Sequence, residues 1–466
     1  MTSVYIGNLE PNVIIIGDII LDYNLEGHST KIANEGPIPI INIYNEKYGI
    51  GGCGNVLMNV AALGAKKIFI FSRIGNDDNG ATLIKLLPSQ TTNNIIIDYT
   101  IPTITKTRIY SDKKIIARYD KEHIKDISLE QELVVFNRFN ETIQNNKISS
   151  VIFSDYNKGF LTKSLCQNII KLCNKYDIPT IIDPKCDYTK YIGCTVIKPN
   201  RNETKNIFNI DLNNITLEDA HKSIHTLLNC KISVITLSGE GISAFKYNKH
   251  YRAIEDTKDI IDVTGAGDIV SAVLGTYYSL IDDIQQLINI ANHLASISIC
   301  HVGVYTINDI DLINTYKYIH NSKEISLDTL TKIHLKDIVF TNGCFDILHS
   351  AHIELFKFCK SLGKTLIVGL NSDNSIKRLK GDTRPINNVN ERIKMLNAID
   401  YIDFIIIFDD DTPINLIKNI KPDFLVKGGD YTIENIIGRE FAKNTIIFNY
   451  INGLSTTNII KQIKNL

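Results

Sequence analysis

Short apolar runs that stop on small or acidic residues recur along this chain, and they restrict its fold more than any other feature. Val13-Ile14-Ile15-Ile16 ends at Gly17-Asp18, Val151-Ile152-Phe153 at Ser154-Asp155, and Thr180-Ile181-Ile182 at Asp183-Pro184-Lys185. Thr195-Val196-Ile197 ends at Lys198-Pro199-Asn200, and Ser233 to Leu237 at Ser238-Gly239. Runs of this length bounded by turn residues read as buried strands. Stretches with helical spacing separate them, such as Ser164 to Tyr176. Strand and helix in alternation build βαβ units and a mostly parallel sheet. Such sheets bind ligands beyond the carboxyl ends of their strands, where the polar residues collect here.

The chain has 466 residues, enough for two or three domains. A second strand series begins at Ile338-Val339-Phe340 and continues at Thr365 to Gly369, Phe404 to Phe408, Phe424 to Val426 and Ile446 to Phe448. Helical patterns fill Ile353 to Leu362, Asn390 to Ile399, Pro413 to Ile420 and Thr457 to Ile463. The predicted division is a first domain of residues 1–320, a connector of 321–336 within the polar stretch Asn308 to Lys336, and a second domain of 337–466. Strand-like alternation without helices, at Ile38 to Tyr48 and Ile95 to Tyr119, predicts an antiparallel flap beside the first sheet. A lid of this kind would exclude water from a phosphoryl-transfer site.

Lysine and arginine number 50 against 51 acidic residues, a net charge of −1. That balance argues against a general nucleic-acid or membrane-surface partner, so anionic substrates must be met by local basic groups. The nine cysteines form no C-x-x-C pair and no metal-like spacing, as expected of reduced thiols in the cytoplasm. The apolar run Val13 to Leu21 is broken by Gly17 and Asp18, and no segment reaches the ~20 apolar residues of a membrane span.

Two motifs carry chemistry. Asp262-Val263-Thr264-Gly265-Ala266-Gly267-Asp268 precedes an apolar helical pattern. Gly265, Ala266 and Gly267 at a helix mouth offer close backbone N–H groups and the favourable dipole end to a phosphate. Asp268, on the first turn, can accept a hydroxyl proton, and the competing reading is an N-cap. Thr341-Asn342-Gly343-Cys344-Phe345-Asp346-Ile347-Leu348-His349-Ser350-Ala351-His352 runs from a strand into a helix. His349 and His352 share one face of the first turn, where their imidazoles add donors to the helix N–H groups. In-line attack on an α-phosphorus needs that charge stabilisation and no protein nucleophile. The sequence offers no third ligand that would make the pair a metal site.

Further polar residues at strand ends are weaker candidates. They are Asp183 and Lys185 for ATP phosphates, and Asp155 and Lys158 for a sugar. Arg108 and Arg118 suit a phosphate already on the sugar, with a solvated flap face as the alternative. Lys377, Arg378 and Lys380 before Gly381 are candidates for a triphosphate or sugar phosphate, with a solvated basic turn as the alternative, and Lys427-Gly428-Gly429-Asp430 follows a strand as a binding loop should.

The first half resembles the ribokinase-like carbohydrate kinases. The matching pieces are Gly17-Asp18 with Asp22, Gly51-Gly52-Cys53-Gly54-Asn55, Asn200-Arg201-Asn202-Glu203 and the stretch ending at Asp268. The resemblance implies a three-layer α/β/α domain with a β flap. It implies sugar contacts from Asp22, Gly51, Gly52, Asn55 and Asp155, and ATP contacts from Asn200, Glu203, Ser238, Gly239, Gly265, Ala266 and Gly267. Asp268 would be the base. Mg²⁺ would come with ATP and meet Glu203 through water, with a monovalent cation as an optional addition. The second half resembles the cytidylyltransferase-like H-x-G-H nucleotidyl transferases, a smaller Rossmann-like α/β domain, with Ala351 in place of the usual glycine. That resemblance implies catalytic roles for His349 and His352. It implies nucleotide or phosphate contacts from Phe345, Asp346, Lys380, Lys427, Gly428, Asp430, Ser455, Thr456 and Thr457.

The two halves in this order resemble the bifunctional heptose-phosphate kinase and adenylyltransferase family of ADP-heptose synthesis. The resemblance implies phosphorylation of D-glycero-β-D-manno-heptose 7-phosphate at O1, then adenylyl transfer from ATP to heptose 1-phosphate. It implies ATP and sugar phosphates as partners, a homodimer and a cytoplasmic location. The alternatives are the same chemistries on another sugar phosphate or with CTP, or one half kept as a non-catalytic binding module.

Overall fold

The computed structural model describes residues 11–112, 114–254, 260–320, 322–331, 335, 337–363, 365–429 and 432–448. The chain forms two compact units, Met1–Thr315 and Tyr316–Leu466.

The first unit is built on a nine-stranded sheet. From one edge to the other its strands are Lys249–Ala253, Ile242–Lys246, Ile232–Thr236, Val196–Ile197, Thr180–Asp183, Ser150–Ser154, Asn12–Gly17, Lys67–Phe71 and Thr91–Asn93. The seven strands from Ile232–Thr236 onward pair in parallel, and Ile242–Lys246 runs against its two neighbours, so it alone is reversed in this sheet. The central strands are apolar on both faces because both are covered: Val13 to Ile16 and Val151 to Phe153 are fully buried. On one face Ile14, Ile16, Phe71 and Phe153 pack with Phe139, Ile169, Cys173 and Ile224 from the helices Leu129–Asn145, Lys163–Lys175 and Leu217–Leu228. The helices Cys53–Ala62 and Ala266–Tyr277 cover the other face. The result is the expected three-layer α/β/α unit.

The chain order reverses between Asn12–Gly17 and Ser150–Ser154, which makes the crevice beyond these two strands the favoured ligand site. Only Asp18 separates the central strand from Ile19–Ile32, the first strand of the flap. The flap's order is Pro39–Gly52, Ile19–Ile32, Thr105–Ser111, Lys114–Lys121. Its outer pairings are antiparallel, but Ile19–Ile32 and Thr105–Ser111 run parallel, so the flap is mixed and not antiparallel as the sequence suggested. Parallel neighbours need a long crossover, and residues 33–104 provide it. The pairing of Ile19–Ile32 with Pro39–Gly52 shifts register at Glu26/Gly27 and Ser29/Lys31.

The second unit holds a five-stranded parallel sheet, ordered Phe404–Phe408, Thr365–Asn371, Ile338–Gly343, Phe424–Gly428, Asn444–Phe448. Val339, Phe356, Leu366, Val368 and Ile405 form its core. Residues 323–325, inside the expected connector, attach to its edge: Ile325 donates its N–H to Ile405 and Ile405 donates to Lys323. Lys377, Arg378 and Lys380 do not form a loop but end the helix Asp373–Lys380, where cations suit the carbonyl end. The expected helix Thr457 to Ile463 lies outside the described residues.

Candidate active sites

Asp268 is not an N-cap. Gly265 caps the helix Ala266–Tyr277 with a φ of 82°, and no side chain bonds the first-turn N–H groups. A Cβ on Gly265 would stand 2.8 Å from the Asn55 amide nitrogen, so glycine is required by both its φ and its space. Asp268 lies on the first turn of the helix and is buried. Its two oxygens accept from Asn55 Nδ2 at 2.7 Å and from the Tyr156 hydroxyl at 2.8 Å. Burial raises its pKa above the ordinary carboxylate value, while those two hydrogen bonds, Lys198 and Lys106 oppose the rise.

A cavity of about 400 Å³ opens on one side of Asp268. Asn200, Glu203, Ser238, Gly239 and residues 265–268 all line it, as do Asp183, Lys185 and Lys198. Asn200 and Glu203 form a capping box at the start of the helix Arg201–Phe208, each side chain bonding the other's backbone N–H, at 2.8 and 2.9 Å. The other oxygen of Glu203 meets Lys185 at 3.2 Å. Lys198, missed in the sequence, is buried and pairs with Asp183 at 3.0 Å. Burial alone would lower its pKa, but Asp183, Glu203 and Asp268 outweigh that and keep it cationic.

The flap side of Asp268 is organised by Asp18. Its buried carboxylate accepts backbone N–H groups from Tyr156 and Lys158 at 3.0 Å and Phe160 at 3.2 Å, fixing the loop that carries Tyr156. Burial, with Asp155 beside it, pushes the Asp18 pKa up to about 6 against those bonds. Asp22 pairs with Arg108 at 2.6 Å and lies against Gly51, where a Cβ would fall 2.2 Å from its Oδ2. Gly52 has a φ of 62° and starts the helix that carries Asn55. Asp155 lines the cavity, but its carboxylate is taken by Tyr191, by Lys190 at 3.3 Å and by the Asn157 N–H at 2.6 Å. Arg118 pairs with Asp120 on the exposed flap. Tyr156 was invisible in the sequence because its partner lies 112 positions away.

In the second unit His349 is the N-cap of the helix Ser350–Leu362 and His352 sits on its first turn. The two imidazoles stack with centroids 3.9 Å apart. Both Nδ1 atoms are buried without a hydrogen-bond partner. Burial lowers the pKa of both, and His352, with His349 and Lys380 near it, falls to about 4. Phe345, held at a φ of 45°, packs its ring edge-on to His352 and supports it from the buried side. Asp346, expected at the nucleotide, is instead 2% exposed and spends its carboxylate on the N–H groups of Ile386 and Asn387 and on Arg384. Arg392, not singled out in the sequence, is fully buried and ties Cys344, Asn371 and Asp373 together. Lys427 bonds Asn342 at 2.8 Å, and burial lowers its pKa to about 8. Gly428 ends its strand beside it. Asp430, Ser455, Thr456 and Thr457 lie outside the described residues.

Comparison with known proteins agrees with both halves. The pfkB family carbohydrate kinase model matches residues 10–311 and the cytidylyltransferase-like model residues 340–462. Phosphofructokinase-2 from Escherichia coli, solved with potassium, superimposes with a TM-score of 0.53 at 16% identity, over 67% of this chain and 100% of its own. Ribokinase from Thermotoga maritima gives 0.50 at 18%, over 66% and 99%. These structures share the ribokinase-like fold. Fold and sites together define a carbohydrate kinase joined to a nucleotidyltransferase. The bifunctional protein HldE of Sulfurimonas denitrificans is 38% identical over 469 residues, covering 97% of both chains, and that of Helicobacter pylori is 38% identical over 463, covering 97% of this chain and 98% of its own. The chain belongs to the HldE family of bifunctional enzymes, heptose kinase and adenylyltransferase in one polypeptide.

Proposed function

We propose that the first unit moves the γ-phosphoryl group of ATP onto O1 of D-glycero-β-D-manno-heptose 7-phosphate, with Asp268 as the base. The observation that carries this is the position of Asp268, at an uncapped helix mouth between the nucleotide cavity and the flap. Asp268 takes the O1 proton as O1 attacks the γ-phosphorus and ADP leaves. The first-turn N–H groups of the helix Ala266–Tyr277 and the buried Lys198 meet the charge on the transferred group. Asp22, Gly51, Gly52 and Asn55 hold the sugar, while Asp155 supports the loop beside it. Asn200, Ser238 and Gly239 border the ATP.

Glu203 fits an outer-sphere partner for Mg²⁺. One of its oxygens is spent on the capping box and the other faces Lys185 on the cavity wall. The ion would neutralise charge on the ATP phosphates. A monovalent cation is a further expectation, supported by the potassium in the Escherichia coli phosphofructokinase-2 structure.

The second unit transfers the adenylyl group of ATP to heptose 1-phosphate. The sugar phosphate oxygen attacks the α-phosphorus in line and pyrophosphate leaves. His349 and His352, stacked at the start of the helix Ser350–Leu362, would meet the phosphates, with Lys380, Lys427 and Gly428 as further contacts. The protein acts in the cytoplasm as a homodimer. Exposed Ile40, Ile43, Ile115, Ile116 and Tyr119 on the flap support a second copy as its partner.

The test uses the purified full chain. With ATP and heptose 7-phosphate it should release ADP and form the 1,7-bisphosphate. With ATP and heptose 1-phosphate it should release pyrophosphate. Turnover of another phosphosugar but not the heptose, or of CTP but not ATP, would overturn the substrate assignment.

A further inference from the structure

We infer that Lys106 is the group that grips the phosphate ester already present on the kinase's acceptor. This rests on the phosphosugar-kinase reading above and names a residue for it. On the flap, Lys106 is paired in register with Asp22 on one side and Asp120 on the other, and Arg108 with Arg118. Cross-strand partners share a face, and residues two apart on one strand share it too. Lys106, Arg108, Arg118, Asp22 and Asp120 therefore occupy one face, and Thr105 and Thr107 are buried on the other.

Three of the cations near this face are already matched. Arg108 pairs with Asp22 at 2.6 Å, Arg118 with Asp120 at 2.7 Å, and Lys158, from the Asp18-anchored loop, with Glu122 at 2.7 Å. Lys106 has no ion pair among the described residues, and its Nζ lies 5.8 Å from the centroid of the Tyr156 ring. It is half-buried. Burial lowers its pKa, Asp22 and Asp120 oppose that, and Arg118 and Lys158 add to it. A half-buried ammonium amid other cations gains most from a dianion, which restores the charge that its surroundings disfavour.

The same geometry separates this phosphate from the one being transferred. Tyr156 stands between, with its hydroxyl on Asp268 and its ring against Lys106. The nucleotide cavity has its own cations, Lys185, Lys198 and Arg201, and Lys106 does not line it. Lys106 therefore serves the acceptor side.

The experiment compares wild type with Lys106→Met and Lys106→Arg in the full chain. It measures kinase kinetics and calorimetric binding of heptose 7-phosphate, other sugar phosphates and the matching unphosphorylated sugars. In Lys106→Met the KM for the phosphorylated acceptor should rise by roughly 10-fold to 100-fold, the loss expected for a charge-assisted contact. KM for ATP should stay within about twofold, binding of unphosphorylated sugar should not change, and Lys106→Arg should recover part of the loss. An unchanged acceptor KM, or a fall in kcat at constant KM, overturns the assignment. If wild type ignores heptose 7-phosphate but binds another sugar phosphate in a Lys106-dependent way, the clamp stands and the heptose reading falls. If heptose 7-phosphate is turned over equally by wild type and Lys106→Met, the reading stands and the clamp falls. Thermal melting shows whether each variant is folded, and Lys106→Arg keeps the test decisive if Lys106→Met is not.

Discussion

Asn55 and Asp268 are 213 positions apart in the chain and meet at 2.7 Å. One begins its turn of helix after the glycine-rich loop, and the other follows the glycines of the second helix mouth. Each loop thereby fixes the other's side chain. The proposed kinase site is therefore assembled from two helices that both pack on the central strands.

Asp268→Asn should lower phosphorylation about a thousandfold while adenylyl transfer by the same chain stays near wild type. Paired assays of ADP and pyrophosphate release check this. Loss of both activities in a folded protein would contradict independent sites.

The acid limb of the kinase pH profile should lie above the ordinary carboxylate range, because burial raises Asp268. The base works when ionised, so kcat/KM falls as pH drops through that raised pKa. Tyr156→Phe removes a hydrogen bond that favours the ionised form, so its limb should move further up in pH. A limb that stays in place would show that Asp268 does not govern the profile.

Gly51→Ala should impair the acceptor and spare the nucleotide. The added carbon would fall 2.2 Å from Asp22 Oδ2, so the carboxylate must leave its place beside Arg108. A rise in acceptor KM of about tenfold or more is expected from the strain of one extra methyl, with ATP KM unchanged. Equal effects on both would mean that the two subsites are not separated at this glycine.

His352 should make the second unit sensitive to mild acid. Its folded pKa of about 4 lies below the ordinary 6.5, so the unfolded chain binds the extra proton first. Its contribution is complete above pH 6.5 and is lost as pH falls toward 4, a change of roughly 3 kcal/mol. His352→Asn should flatten that part of the stability curve in urea titrations at pH 7, 6, 5 and 4. Parallel wild-type and variant curves would refute the burial of a neutral imidazole.

The strand ends and the helix mouths were legible because they are local. Asp268 needs only its glycines and the helix that follows. His349 and His352 need only their spacing. Side chains that act across the fold were not legible: Tyr156, Lys198 and Arg392 take their meaning from partners brought near by the sheet. Asp346 misled for the opposite reason. Its motif places it beside the imidazoles, but burial and the 386–387 backbone claim its carboxylate. The motif of Asn200 and Glu203 has two meanings at once, since the same residues that line the cavity also start a helix. The flap's parallel pairing escaped because alternation along a strand carries no information about its neighbour's direction.

Asp18 joins the central strand to the flap with no slack, and its carboxylate is fastened to three amides of the neighbouring loop. The lid therefore has no free axis at its root. A closing stroke would bend it most easily farther out, at the irregular pairings near Glu26 and Ser29, beyond Asp22. On the proposed reading, substrate capture and base alignment are mechanically uncoupled: an outer flap that bends there would open without disturbing Asp268.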